Sequence, residues 1–399
     1  MSQEAYIVAG YRTAVTRAKR GKFRFVRPDD LAVRLIEGLL QCLPQLDRKL
    51  IDDVIVGNAV PEAEQGLQIG RMISVRVLGE QAPGMTVNRY CASGLETIAI
   101  ATAKIRSGMA ECIIAGGTES MSWVPMGGWK TAPSYEVAAV HPDYYLSMGL
   151  TAEAVAREYH ISREDQDLFA LRSHQRALFA QQQGYFQSGI LPITVEQVRV
   201  NATCQQAGER MKKETVTYVV DRDEGPRPDT SLEALAKLPP VFAAGGTVTA
   251  GNSSQTSDGA AFVVVMSEKL CHQLGIQPIA RLVSCAVAGV PPRLMGIGPV
   301  EAVPKALKMA GKQLSDIDLI ELNEAFAAQS IAVIRQLDMD PEKVNINGGA
   351  IALGHPLGCT GCKLTVQLLN DLQRLNKKYG MVTACVGGGQ GIAGIFEKC

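Results

Sequence analysis

Net charge, long apolar runs and histidine are all scarce in this 399-residue chain, and the first two remove whole classes of function. Lys plus Arg and Asp plus Glu number 40 each, so no broad basic surface recommends nucleic acid or an anionic membrane as the main partner. No stretch has the length and apolarity of a membrane span. The chain enters on a short apolar strand, residues 5–8, followed by Arg12, Arg17, Lys19 and Arg20 rather than by the apolar core of a secretory signal. Ten cysteines are present, but they are scattered and lack the spacing of a disulfide framework. With no export route expected, they read as reduced thiols in a cytoplasmic protein. Only five histidines occur, and His355 alone lies in a Gly-rich turn.

The rest of the composition is that of a soluble globular protein, 46% hydrophobic and 20% charged. Its length is too great for one simple core and implies two or three domains. The order of segments repeats. Asp53-Val54-Ile55-Val56-Gly57-Asn58 has the same shape as Asp318-Leu319-Ile320-Glu321-Leu322-Asn323, an apolar strand ending in Asn. A Gly-rich strand exit at residues 113–119 recurs at residues 384–390, and Asn58 precedes Cys91 by 33 positions where Asn323 precedes His355 by 32. Two similar α/β halves are expected, with both sheet faces covered. Residues 1–120, completed by about 246–275, form the first half, and residues 276–399 the second. Residues 121–245 differ in texture. They hold a capped helix from Ser162-Arg163-Glu164-Asp165 to Gly184 and a polar stretch over residues 201–229, and read as an inserted domain for substrate contacts rather than a linker.

Cys91 closes a short extended run and opens a helical one that stops at Gly108. Unpaired N–H groups converge at such a junction, and their partial positive charge favours thiolate over thiol. If the halves are related by a pseudo-twofold axis, Cys91 and His355 come from equivalent places and meet, and a Cys beside a His is an activated nucleophile. Asn323 is placed to orient a water, and Gly387 to bring its N–H close to a ligand oxygen.

The chain resembles the thiolases, the acyl-CoA:acetyl-CoA C-acyltransferases, along essentially its whole length. The resemblance rests on Asn88-Arg89-Tyr90-Cys91-Ala92-Ser93-Gly94-Leu95, Asn323-Glu324-Ala325-Phe326-Ala327, Asn347-Gly348-Gly349-Ala350 continuing to Gly354-His355-Pro356-Leu357-Gly358, and Cys385-Val386-Gly387-Gly388-Gly389-Gln390-Gly391. It implies a five-layered α-β-α-β-α fold from two βαβαβαββ-type halves plus an inserted loop domain. It also implies Cys91 as the acylated nucleophile, Cys385 as general acid/base, and His355 as activator of Cys91. Asn323 with a water would join His355 in one oxyanion hole, and the N–H groups of Cys91 and Gly387 would form the other. Ser254 falls on the pantetheine-contacting serine and Arg227 on a CoA-nucleotide arginine. Met295 would line the acyl pocket, and Met148 of the loop domain would contact CoA or substrate. CoA and 3-ketoacyl- or acyl-CoA are then the small-molecule partners, and no cofactor or metal is expected. A homodimer or a dimer of dimers, alone or within a β-oxidation complex, is the expected assembly.

Ser147-Met148-Gly149 lacks the His that short-chain biosynthetic members carry before Met-Gly, so the degradative 3-ketoacyl-CoA type is favoured over an acetoacetyl-CoA thiolase. A ketoacyl synthase would place His where Cys385 stands, and a scaffold that had lost activity would have eroded Cys91, His355 or Cys385. Two further motifs are set aside. Cys359-Thr360-Gly361-Cys362 has no second C-x-x-C to complete a metal site and starts a helix. Gly389-Gln390-Gly391-Ile392-Ala393-Gly394 has no room after it for the helix, strand and acidic residue of a dinucleotide fold.

Overall fold

The computed structural model describes residues 3–200 and 213–399, so part of the polar stretch expected at 201–229 lies outside the described residues. The first half contributes β1 (Ala5–Arg12), β2 (Thr16–Arg17), β3 (Asp53–Gly57), β4 (Gly84–Val87) and β5 (Cys112–Ser120). A separate hairpin, β6 (Ile193–Val200) and β7 (Lys213–Val220), follows in the inserted region. The chain then returns through β8 (Ser257–Ser267), and the second half supplies β9 (Ala280–Gly289), β10 (Leu319–Leu322), β11 (Tyr379–Val386) and β12 (Gln390–Lys398).

These strands run in the order β4-β3-β5-β8-β1-β9-β12-β11-β10, with β2 beside β8. The two sides of the β1/β9 seam mirror each other. In the first half β3 is parallel to β4 and β5, and β8 is antiparallel to β5 and β1. In the second, β10 is parallel to β11 and bridges Val344 in parallel, and β12 is antiparallel to β11 and β9. The seam is the single antiparallel pair Ile7–Ala280.

The strands β3, β5, β8, β10 and β11 are buried along nearly their whole length because each is covered on both faces. Along β8, Phe262, Val264 and Met266 pack outward with Leu31, Leu35, Ile69 and Ile73. Their neighbours Ala261, Val263 and Val265 pack inward against Leu95, Ile98, Leu364 and Leu368. On the other side Ile320, Met381 and Ile395 pack outward on Ala302, Val303 and Val333. The sheet halves therefore enclose two central helices, Ser93–Arg106 and Leu357–Arg374, and carry outer helices on their far faces. That is the expected five-layered arrangement.

The central helices approach closely through glycine. A Cβ on Gly94 would stand 2.7 Å from the Cys362 nitrogen, and one on Gly361 would stand 2.3 Å from the Leu95 nitrogen. This reciprocal contact makes Gly94 equivalent to Gly361, so Gly358 is the counterpart of Cys91. His355 comes three positions earlier, after the extra turn Ala350–Leu353. The expectation that Cys91 and His355 occupy equivalent positions is corrected accordingly. Cys359 and Cys362 are buried in this central layer and pack as small core residues.

The chain between β5 and β8 folds over the second half. Ser162 caps the helix Arg163–Gln182 by accepting from the Asp165 N–H at 3.0 Å. Ala170 of that helix packs with Leu235, Ala327 and Ile351. The end of the region is anchored to β1 by a buried bidentate pair, Arg12 to Asp223 at 2.7 and 2.9 Å. No helix among the described residues is long and apolar enough to cross a membrane.

Candidate active site

Cys91 lies in a 3-10 turn, Tyr90–Ala92, between β4 and the first central helix. Tyr90 adopts φ +44°, a left-handed conformation that costs energy for a bulky residue. The turn is held by side chains on both sides. Asn88 Oδ1 accepts from the Tyr90 N–H at 2.9 Å while Asn88 Nδ2 donates to the Ala59 carbonyl at 3.0 Å. Ser93 Oγ accepts from the Arg89 N–H and donates to the Tyr90 carbonyl. The residue keeps some contact with solvent, whereas its sulfur lies below the surface. Burial pushes the Cys91 thiol up to about 12, despite backbone N–H groups of Gly387 and of Cys91 itself directed at the sulfur. The nearby carboxyl of Glu119 pushes the same way as burial. Desolvation thus works against the thiolate that the local N–H field favours, contrary to the expectation from the helix terminus alone.

His355 is buried at the opposite wall. Its Nδ1 is 2.6 Å from Thr360 Oγ1, whose own hydroxyl donates to the Pro356 carbonyl at 2.9 Å. Thr360 oxygen is thus the acceptor for Nδ1–H, which leaves Nε2 as the lone-pair nitrogen. Asn323 Nδ2 faces that nitrogen at 3.3 Å. Asn323 Oδ1 is buried and has no hydrogen-bond partner. Burial, reinforced by the buried Lys363 ammonium, pulls His355 down to about 3, so the resting pair is a neutral thiol and a neutral imidazole.

Cys385 lies at the end of β11, fully buried. Burial raises its thiol, and so does the proximity of Cys91. Around it pack Met148, Ala152, Val248, Met295, Ala325 and Phe326, an apolar surrounding. Gly387 follows two residues later, where an added Cβ would lie 3.5 Å from the Tyr90 ring and 3.7 Å from Met148 Sδ. Ser147 is the N-cap of the helix Met148–Glu158 and is exposed.

Ser254 lies on a segment clamped between the two second-half loops. Its N–H donates to the Ala325 carbonyl at 3.0 Å, and the adjoining Gln255 carbonyl accepts from the His355 N–H at 3.1 Å. Gly354 at φ +91° permits this approach, since a Cβ there would stand 2.3 Å from Ser257 Oγ. Arg227 stands further out, with its guanidinium exposed and paired to Asp229 at 3.3 Å. Its N–H donates to His174 Nδ1 at 3.2 Å. The structure thus gathers Cys91, His355, Asn323, Cys385, Gly387, Met148 and Met295 in one site, with Ser254 on its rim. Thr360, Asn88 and Glu119 escaped sequence reading. The only signal for Glu119 was an acidic residue at the end of an apolar strand.

Two neighbouring thiols, a buried imidazole and N–H groups directed at one of the sulfurs, on duplicated α/β halves, are the arrangement that the thiolase resemblance implies. The family models agree: the thiolase N-terminal domain matches residues 5–269 and the thiolase C-terminal domain residues 276–398. The chain belongs to the thiolase family. It is 53% identical over 398 residues to a 3-ketoacyl-CoA thiolase of Bacillus subtilis (strain 168), with 100% of each chain covered. It is 42% identical over 397 residues to the peroxisomal 3-ketoacyl-CoA thiolase of Homo sapiens, covering 99% of this chain and 91% of that protein. Among solved structures, the Bacillus anthracis acetyl-CoA acetyltransferase matches with a TM-score of 0.87 at 38% identity, covering 100% of this chain and 99% of that one.

Proposed function

We propose that this thiolase cleaves 3-ketoacyl-CoA with CoA, giving acetyl-CoA and an acyl-CoA two carbons shorter, through an acyl-enzyme on Cys91. His355 Nε2 takes the thiol proton as the Cys91 sulfur bonds to the 3-keto carbon. The C2–C3 bond breaks, and the departing enolate takes a proton from Cys385 to become acetyl-CoA. CoA then enters, gives its thiol proton to Cys385 and takes the acyl group. Cys91 leaves as thiolate and recovers its proton from His355. Burial pushes the Cys91 thiol up to about 12 and pulls His355 down to about 3, which favours moving the first proton together with the attack rather than before it. Asn323, whose Oδ1 is unpartnered, holds a water that with His355 stabilises one developing oxyanion, and the Cys91 and Gly387 N–H groups stabilise the other. Met148 and Met295 line the acyl pocket, Ser254 meets the pantetheine arm, and Arg227 meets the nucleotide. Thiols, imidazole and amides carry every step, and CoA is a substrate, so no metal or redox cofactor enters the scheme.

The observation that carries this reading is the placement of Cys385 beside Cys91 inside an apolar lining. Proton transfer at a carbon needs a second, shielded acid/base, and a reversible one suits a Claisen reaction. The degradative type is proposed from the 3-ketoacyl-CoA thiolase names of relatives at 42–53% identity. The biosynthetic reading, condensation of two acetyl-CoA, is favoured only by the name of the structural match at 38%. A cytoplasmic homodimer or dimer of dimers, free or within a β-oxidation complex, is the proposed setting. Steady-state thiolysis across a series of 3-ketoacyl-CoA lengths tests the function. Turnover of several lengths is expected, and no turnover of any would refute it.

A further inference from the structure

We infer that Glu119 is the positioning residue that holds the nucleophile's turn and the histidine's loop in register, an inference that rests on the roles proposed for Cys91 and His355. Glu119 ends β5 and is fully buried. Its carboxylate accepts from four donors drawn from both halves of the molecule: the Ala59 N–H at 2.8 Å, the Gly358 N–H at 2.8 Å, Gln65 Nε2 at 2.7 Å and Asn58 Nδ2 at 3.3 Å.

Two of these contacts lead to the reacting groups. Ala59 passes the constraint on through its carbonyl to Asn88, and Asn88 in turn fixes the Tyr90 N–H of the strained turn that presents Cys91. Gly358 belongs to the first turn of the second central helix, three residues after His355 and two before its partner Thr360. One carboxylate thus ties the turn of the nucleophile to the loop of the base, across the junction between halves. A buried carboxylate is costly unless fully hydrogen-bonded, and here every donor it meets is backbone or amide rather than a cation.

The sheet register strengthens the point. Gly57 pairs with Gly117 and Leu322 with Thr383, and each of Gly57 and Leu322 precedes the repeated Asn. Two residues further along each strand stand Glu119 and Cys385. The same position of the duplicated fold carries the proton-transfer thiol in one half and the positioning carboxylate in the other.

The test uses full-length Glu119→Gln. The amide keeps the volume but sets a donor against either the Ala59 and Gly358 N–H groups or the Gln65 and Asn58 amide nitrogens. With 3-ketoacyl-CoA and CoA, kcat is expected to fall about 100-fold, the effect of roughly an ångström of misplacement, while KM for CoA changes less than about two-fold. The midpoint pH for alkylation of Cys91 by iodoacetamide is expected to move down, because a carboxyl is removed beside the sulfur. Asn88→Ala, which cuts the relay without placing a donor in the core, should show the same loss confined to kcat with unchanged thermal stability. This second variant keeps the inference testable should Glu119→Gln fail to fold. If the wild-type enzyme turns over and Asn88→Ala, or a folded Glu119→Gln, keeps wild-type kcat, the inference is overturned. If the wild-type enzyme itself shows no thiolysis, the proposed function fails instead.

Discussion

Thr360 Oγ1 stands 2.6 Å from Nδ1 of His355 and donates its own hydroxyl hydrogen bond to the Pro356 carbonyl. This contact decides which imidazole nitrogen faces the reaction. The Thr360 oxygen accepts, so Nδ1 carries the proton and Nε2 keeps the lone pair that the proposed base needs. Thr360→Val removes that acceptor at nearly constant volume. We expect kcat to fall about 100-fold, with Thr360→Ser close to wild type because it restores the hydroxyl. Equal loss in both variants would assign Thr360 to packing.

Cys385→Ala should separate the two half-reactions. It removes proton transfer at carbon and leaves Cys91, His355 and both sets of N–H donors in place. Thiolysis should fall by at least about 100-fold, the lower range for a lost general acid/base. Cys91 should still accept an acyl group from acyl-CoA. Normal thiolysis by this variant would reduce Cys385 to a lining residue.

Gly94→Ala probes the central layer. An added methyl meets the Cys362 backbone at 2.7 Å, and overpacking of this kind costs about 1–3 kcal/mol. The helix-propensity gain of about 1 kcal/mol offsets only part of it. Thermal unfolding should report a lower Tm, and an unchanged or higher Tm would mean that the helices separate freely.

The buried histidines make stability depend on pH. His174 is pulled down to about 4, chiefly by burial and then by Arg227 and Arg17, and it accepts the Arg227 N–H at Nδ1. His355 is pulled down to about 3 by burial and then by Lys363. Both are neutral in the folded protein where the unfolded chain, near the ordinary value of about 6.5, already binds protons. The unfolded state therefore gains protons first as pH falls, and the folded state loses stability from about pH 6.5 down toward the folded values. His174→Asn should show a smaller drop in Tm between pH 7.5 and 5 than the wild type. An identical drop would mean that His174 does not contribute.

Cys91, Asn323, His355 and Cys385 were legible because each sits in a local motif at a strand or loop end, and the resemblance of those motifs supplied their proposed roles. The layer order was legible too, since the apolar runs of β8 and β11 leave no solvent face. Glu119, Asn88 and Thr360 were not, because their partners lie across the fold. Nothing near residue 119 announces that its carboxylate will meet Gly358. Ionisation was misread for a related reason. The helix-terminus argument for a Cys91 thiolate is local, whereas the desolvation that defeats it comes from Ala59, Met121 and Leu357 packed around the residue. Cys359 and Cys362 gave a motif without chemistry, because what matters there is their small size between the two central helices.

The central claim is that acyl transfer runs through Cys91. The most direct measurement is intact mass followed by peptide mapping of the Cys385→Ala variant after incubation with acyl-CoA and no free CoA. The account predicts one acyl mass per chain, located on Cys91 and discharged only slowly by added CoA, because the thiol that takes the CoA proton is gone. Acylation at any other residue, or an unmodified Cys91, would contradict it.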